Sequence, residues 1–114
     1  MDTLSQYRTV IKNILSEYAH TRIPVNNPDP GYQLIFDSEH DSYLLYRTGW
    51  KEELKRVHFC VFHLDIKNNK VWVQEDATDY DIVGELEEHG VPKEDIVLAF
   101  HAPYKRPFTG YALA

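Results

Sequence analysis

Four apolar runs follow one another with very little chain between them, and that spacing restricts the fold more than any other feature of the sequence. They are "YQLIFD" from Tyr32, "SYLLYRTGW" from Ser42, "KRVHFCVFHLDI" from Lys55 and "KVWVQE" from Lys70. The breaks between them, "SEHD", "KEEL" and "NN", suit tight reversals, and Asn68 and Asn69 tolerate the positive φ of a type I′ hairpin. The runs therefore predict an antiparallel meander. In the third run Val57, Phe59 and Val61 alternate with His58, Cys60, Phe62 and Leu64, so neither face is purely polar, which predicts a central strand covered on both sides.

A sheet of this kind needs a cover. Leu4, Tyr7, Val10, Ile11, Ile14, Leu15 and Tyr18 recur at steps of three and four, an apolar stripe along one side of a helix from about residue 3 to residue 20. "IPVNNPDPG", residues 23–31, holds three prolines and reads as an extended linker from helix to sheet. After the fourth run, Thr78 followed by Asp79 and Asp81 suits an N-cap with charges matched to the helix dipole, and Gly90 with Pro92 makes a stop, so a short acidic helix is expected over about 79–89. "DIVLAFH", from Asp95, fits either a last strand or a buried turn. The expected class is α+β, a helix packed on an antiparallel meander of four or five strands, in one domain covering residues 1–114.

The charge balance narrows the function. Twelve Lys and Arg stand against 18 Asp and Glu, a net −6. Proteins that grip nucleic acid on their own usually present a basic face, so autonomous nucleic-acid binding is not expected. Acids crowd between residues 75 and 95, where Lys93 is the lone opposing charge, and such a face attracts a basic partner; a solvated helix surface is the more common reading of such a run. No run is long and apolar enough for a membrane span, the N-terminus lacks a signal-peptide pattern, and a lone Cys60 forms no internal disulfide; together these give an expected cytoplasmic location.

Catalytic arrangements are weak throughout. His58 and Cys60 share a strand face, but His63 is expected on the opposite one, short of the three or four ligands that zinc needs. Asp65, Lys67, Glu75 and Asp76 sit near strand ends and faintly resemble a metal-dependent nuclease set, although hairpin ends carry such residues because they are solvated. There is no glycine-flanked nucleophile and no glycine-rich phosphate loop. The expectation is a protein that is not an enzyme and needs no cofactor or metal.

The last 15 residues, "FHAPYKRPFTGYALA", carry four aromatics, two prolines and a Lys-Arg pair with no helical or strand period. Tyr104, Lys105, Arg106, Phe108 and Tyr111 include the residue types that dominate interface hot spots, and Pro103 with Pro107 stiffens the segment. The alternative is a tail that seals its own core. The expected compromise buries Phe108 and Leu113 and leaves Tyr104, Lys105 and Arg106 at the surface, with the acidic helix, including Glu85 and Glu88, as a second contact surface.

Four long stretches in one order resemble the XisI-like family, the fdxN element excision controlling factor proteins: "LSQYRTVIKNILSEYA", "YQLIFDSEHDSYLLYRTGW", "RVHFCVFHLDIKNNKVWVQEDATDYDI" and "GVPKEDIVLAFHAPYKRPFTGYALA". The family pattern often has glycine where this chain has Phe59, Ala77 and Ala99, which implies local repacking. The resemblance implies an α+β fold and an accessory role, with an XisH-like partner, in controlling site-specific excision of a DNA element by a separate recombinase, so that contact with the recombinase–DNA complex is indirect. It carries over no catalytic set. A divalent-metal nuclease using Asp65, Glu75 and Asp76, or an antitoxin-like inhibitor of a nuclease partner, are the alternatives. The aromatic tail also suits self-association.

Overall fold

The computed structural model describes residues 2–22 and 29–114. Helix α1 spans Thr3–Thr21, and Asp2 starts it by accepting the Ser5 N–H at 2.7 Å. Tyr7, Ile11, Ile14, Leu15, Tyr18 and Ala19 are buried along one stripe, as the periodicity predicts. Most of the linker expected over residues 23–31 lies outside the described residues.

The meander is present as β1 (Gly31–Asp37), β2 (Ser42–Lys51), β3 (Lys55–Lys67) and β4 (Lys70–Asp76), each antiparallel to the next. Asn68 and Asn69 turn between β3 and β4 with φ of 54° and 63°, the left-handed pair that a type I′ turn requires. The "DIVLAFH" stretch resolves as a strand: β5 (Ile96–Leu98) runs parallel to β4 and completes a five-stranded sheet in the order β1-β2-β3-β4-β5. Between β4 and β5, a parallel neighbour needs a crossover, and α2 (Ile82–Glu88) supplies it. This helix is shorter than expected. Asp81, not Thr78, caps it by accepting the Gly84 N–H, while the Thr78 hydroxyl accepts from Tyr80 N–H in a preceding turn.

The core lies between α1 and one sheet face, with Tyr43, Leu45, Phe62, Leu64, Val71, Val73, Ile82, Leu86 and Ile96 at or near zero exposure. At one end of this layer Tyr18 meets Phe62, Tyr80 and Tyr32 edge-on, ring centroids 4.9, 5.2 and 5.9 Å apart. Arg22 closes that cluster over the Tyr18 ring at 3.9 Å.

Strand β3 is central in the sheet, but it is not covered along its whole length. Its pairing with β4 begins only at Phe62, so residues 55–60 run past β4 with β2 on one side alone. Phe59 is 46% exposed there. A register shift in the β2–β3 ladder opposite Leu45 and Tyr46 makes Val61 an extra residue. Cys60 then pairs with Tyr46 and His63 with Leu44, two residues apart on β2, so Cys60 and His63 lie on the same face. The expectation that His63 faces away is corrected by that bulge, which resets the two-residue alternation.

Candidate partner interface

The C-terminal segment is ordered by its own hydrogen bonds. Residues Pro103–Phe108 form a 3-10 turn, here η, with Pro103 at its start and the Thr109 N–H returning to Arg106 O at 3.1 Å. Beyond it, Ala112 lies beside Val97 as a parallel bridge and donates its N–H to Ile96 O at 2.8 Å. The tail therefore covers the outer edge of β5, a sheet edge that would otherwise be open.

Arg106 holds this hook in place. Its Nε donates to His101 O at 3.1 Å, with longer bonds of 3.4 Å to Ala99 O and Leu113 O, and its guanidinium sits 5.6 Å from the Trp72 ring centre. Three carbonyls from separate points of the loop converge on one planar donor, a geometry that suits the fork of a guanidinium and not the single point of an ammonium. Arg106 is thus half-buried and intramolecular, which corrects its expected surface role.

Two further expectations reverse. Phe108 is 87% exposed and Leu113 57% exposed, although both were expected to pack inside. The core space beside β5 is taken instead by Tyr111, half-buried against the core, with its hydroxyl 3.4 Å from Glu87 Oε2 and Lys93 Nζ 5.7 Å from its ring. Burial, then the Glu87 carboxylate, pushes the Tyr111 hydroxyl pKa up. Tyr104, 72% exposed, and Lys105, with its ammonium 5.9 Å from the Tyr104 ring, stand on the surface as expected. Through Tyr111 and Glu87 the hook abuts α2, which carries Glu85 and the exposed Glu88. Glu85 is half-buried with an oxygen 3.8 Å from His89 Nδ1.

The residues of the nuclease alternative are not brought together. Asp65 pairs across the ladder with Trp72, while Glu75 and Asp76 pair with His63 and Phe62 at the other end of β4. Asp65 accepts from Gln74 at 3.2 Å and lies 2.9 Å from His63 Nε2. Lys67 leaves the carboxylates altogether and sits 4.2 Å from the Trp72 ring centre. Among the described residues no three His, Cys, Asp or Glu side chains are grouped to hold a metal ion. Cys60 donates to Phe62 O at 3.3 Å, and burial, then Glu75, pushes its thiol pKa up, the environment of an inert thiol. A surface concavity lined by Asp2, Leu4, Arg8, Asn69 and Asp95 has its acids occupied, Asp2 capping α1 and Asp95 accepting from Tyr7.

Helix on one face, hook on the far edge and a mostly antiparallel open sheet between them define an α+β protein whose C-terminal hook exposes Tyr104, Phe108 and Leu113. The chain belongs to the XisI protein family, whose sequence profile matches residues 1–113. A crystal structure of a XisI-like protein from Anabaena variabilis ATCC 29413 is 42% identical with a TM-score of 0.88, covering 97% of this chain and 99% of that one. The fdxN element excision controlling factor XisI of the same organism is 39% identical with a TM-score of 0.84, covering 99% of this chain and all of that one. No protein with a curated description matches the chain. No described helix is long and apolar enough to cross a membrane.

Proposed function

We propose that this protein is a regulatory subunit, not a catalyst, that acts in excision control by docking an XisH-like partner on its C-terminal hook. One observation carries the reading: Phe108 and Tyr104 project almost bare from a turn that Arg106 and two prolines hold rigid. An exposed aromatic on a pre-ordered segment loses little entropy on docking, and most of its area is still available to bury against a partner. Glu88 and its neighbours on α2 flank the hook and favour a partner with basic residues beside its apolar pocket.

Phe108→Ala is the informative variant, because the ring contributes almost no buried area to its own fold. Calorimetry with the XisH-like protein of the same source is expected to show at least about tenfold weaker binding with an unchanged melting temperature. Unchanged affinity would remove the hook from the interface. Duplex DNA titrated in parallel is expected to give no heat at physiological salt, in keeping with the net −6 charge.

A further inference from the structure

The sheet ends on β1 and β5, and its two edges are finished differently. Beside β5 the tail sets Ala112 against Val97. Beside β1, among the described residues, no strand pairs on the side away from β2. Folded proteins normally guard an open edge with lysine, a bulge or a very short strand. Residues 55–60 of β3, which run past the end of β4, carry such guards in Lys55 and Arg56. Strand β1 carries none. Pro30 stands just before it, and its seven residues then pair with β2 without a register shift, with no Asp, Glu, Lys or Arg from Gly31 to Phe36. In mid-strand Leu34 and Ile35 are 39% and 40% exposed, on opposite faces. Leu34 shares the helix-covered face with Tyr32 and Phe36, which pack against the core, and it borders a groove lined by Ser16, Ala19 and His20 of α1.

This edge is chemically symmetric about its centre. Read outward from Leu34, "YQLIF" places an aromatic residue two positions away on either side. Under a two-fold axis normal to the sheet at Leu34, Leu34 meets Leu34, Gln33 meets Ile35, Tyr32 meets Phe36 and Gly31 meets Asp37. The members of each pair lie an even number of positions apart, so they share a face and their outward amides and carbonyls match. No like charges meet within the ladder. Its one carboxylate, Asp37, falls opposite glycine and is already held by His40 Nδ1 at 2.7 Å and by the amides of Glu39 and His40 at 3.1 Å. Asp29, just before the strand, is turned toward β2, where it accepts the Trp50 N–H at 3.1 Å.

We propose that a second copy of this chain pairs with β1 along β1, antiparallel about a two-fold axis at Leu34, joining two five-stranded sheets into one with both α1 helices on the same face. The symmetry of the apolar positions assigns the edge to a copy: an isologous contact needs a self-complementary strand, whereas a strand of another protein needs no symmetry in β1. About six to eight backbone hydrogen bonds close such a ladder. Each Leu34 is covered by the other and by the groove beside α1. The Tyr32–Phe36 pairs extend across the axis the ring contacts that each copy already makes, Tyr32 with Tyr18 at 5.9 Å and Phe36 with Tyr43 at 5.8 Å. The interface lies at the opposite edge of the sheet from the C-terminal hook and leaves that segment free.

Sedimentation velocity on the full-length protein tests the pairing and its register. The wild type is expected to be dimeric at about 50 µM. Leu34→Lys sets two cations face to face on the axis and is expected to raise the dissociation constant at least about tenfold, with circular dichroism confirming the fold. Ile35→Lys, at an exposed position on the other face, adds an edge lysine and is expected to weaken the dimer severalfold even if Leu34→Lys misfolds. Adding Gln33→Glu to Ile35→Lys places a glutamate opposite a lysine twice across the axis and is expected to tighten the dimer at least about threefold over Ile35→Lys alone. A monomeric wild type, a dimer indifferent to both lysine variants, or a double variant no tighter than Ile35→Lys would overturn the proposal.

Discussion

Asp41 shows how much one side chain can hold when its backbone is unusual. It sits at the β1–β2 turn with φ of 53°, a conformation tolerated better by Asp than by most residues. Its carboxylate accepts from Arg8 Nε at 2.8 Å and Nη2 at 3.0 Å and from the Tyr43 hydroxyl at 2.8 Å, tying α1 to the sheet. The Arg8 guanidinium bonded to it, and then the Tyr43 hydroxyl, hold its pKa below the ordinary value of 3.8. A depressed carboxylate stabilises the fold above its unfolded-state pKa, and that contribution disappears as the pH falls from 3.8 through the lower folded value. Asp41→Asn is expected to cost about 1–2 kcal/mol at pH 7 and to flatten the acid limb below pH 4, as followed by urea unfolding at a series of pH values. An acid limb as steep as that of the wild type would place the dependence elsewhere. Gly49 is constrained differently: with φ of 146°, a Cβ built on it would lie 2.0 Å from Asp29 Oδ1 and 2.8 Å from Pro30 Cα. Nothing in the run "RTGW" announces that close approach, because the neighbour is about twenty residues away in sequence.

At the scale of elements, the hook was the hardest to read. Its aromatic and proline content marks it as unusual, yet Phe108 and Leu113 are exposed and not buried as expected, because composition does not say which side chain faces inward when no two- or 3.6-residue period is present. Tyr111 won the inner place because the Ala112 bridge to Val97 fixes the direction of the chain there. Arg106→Ala is expected to loosen the 3-10 turn, exposing the Lys105 and Thr109 amides to hydrogen exchange at least about tenfold faster while those of β3 and β4 keep their protection. Equal protection in both proteins would show that the prolines alone suffice. The start of α2 differs from the expected one for a related reason: Thr78 and Asp81 both suit a cap, and Asp81 takes the role because Ile82 and Leu86, four apart, must reach the core. Bulges in β3 and β4 were likewise hidden, since one extra residue leaves no mark on composition but reverses the face of everything after it.

For the molecule as a whole, stability rests on one layer between α1 and the sheet, with Leu15 and Ile11 fully buried in it. Leu15→Ala is expected to cost about 2–5 kcal/mol, a large share of a domain's margin, and to lower the melting temperature by about 10–20 °C in calorimetry. A shift of only a degree or two would mean that the layer collapses around the lost side chain. The helix stripe, the four-strand meander, the Asn-Asn turn and the α+β class were all decided by the sequence itself, because each depends on periodicity or turn chemistry within a few residues. Long matching stretches also placed the chain in its family. What only the tertiary structure decided was non-local: β5 lies parallel beside β4, Arg106 turns inward while Phe108 turns outward, and half of β3 runs free past its neighbour. Those outcomes depend on where segments far apart in sequence come to lie against one another, and the same residues in isolation are compatible with either arrangement.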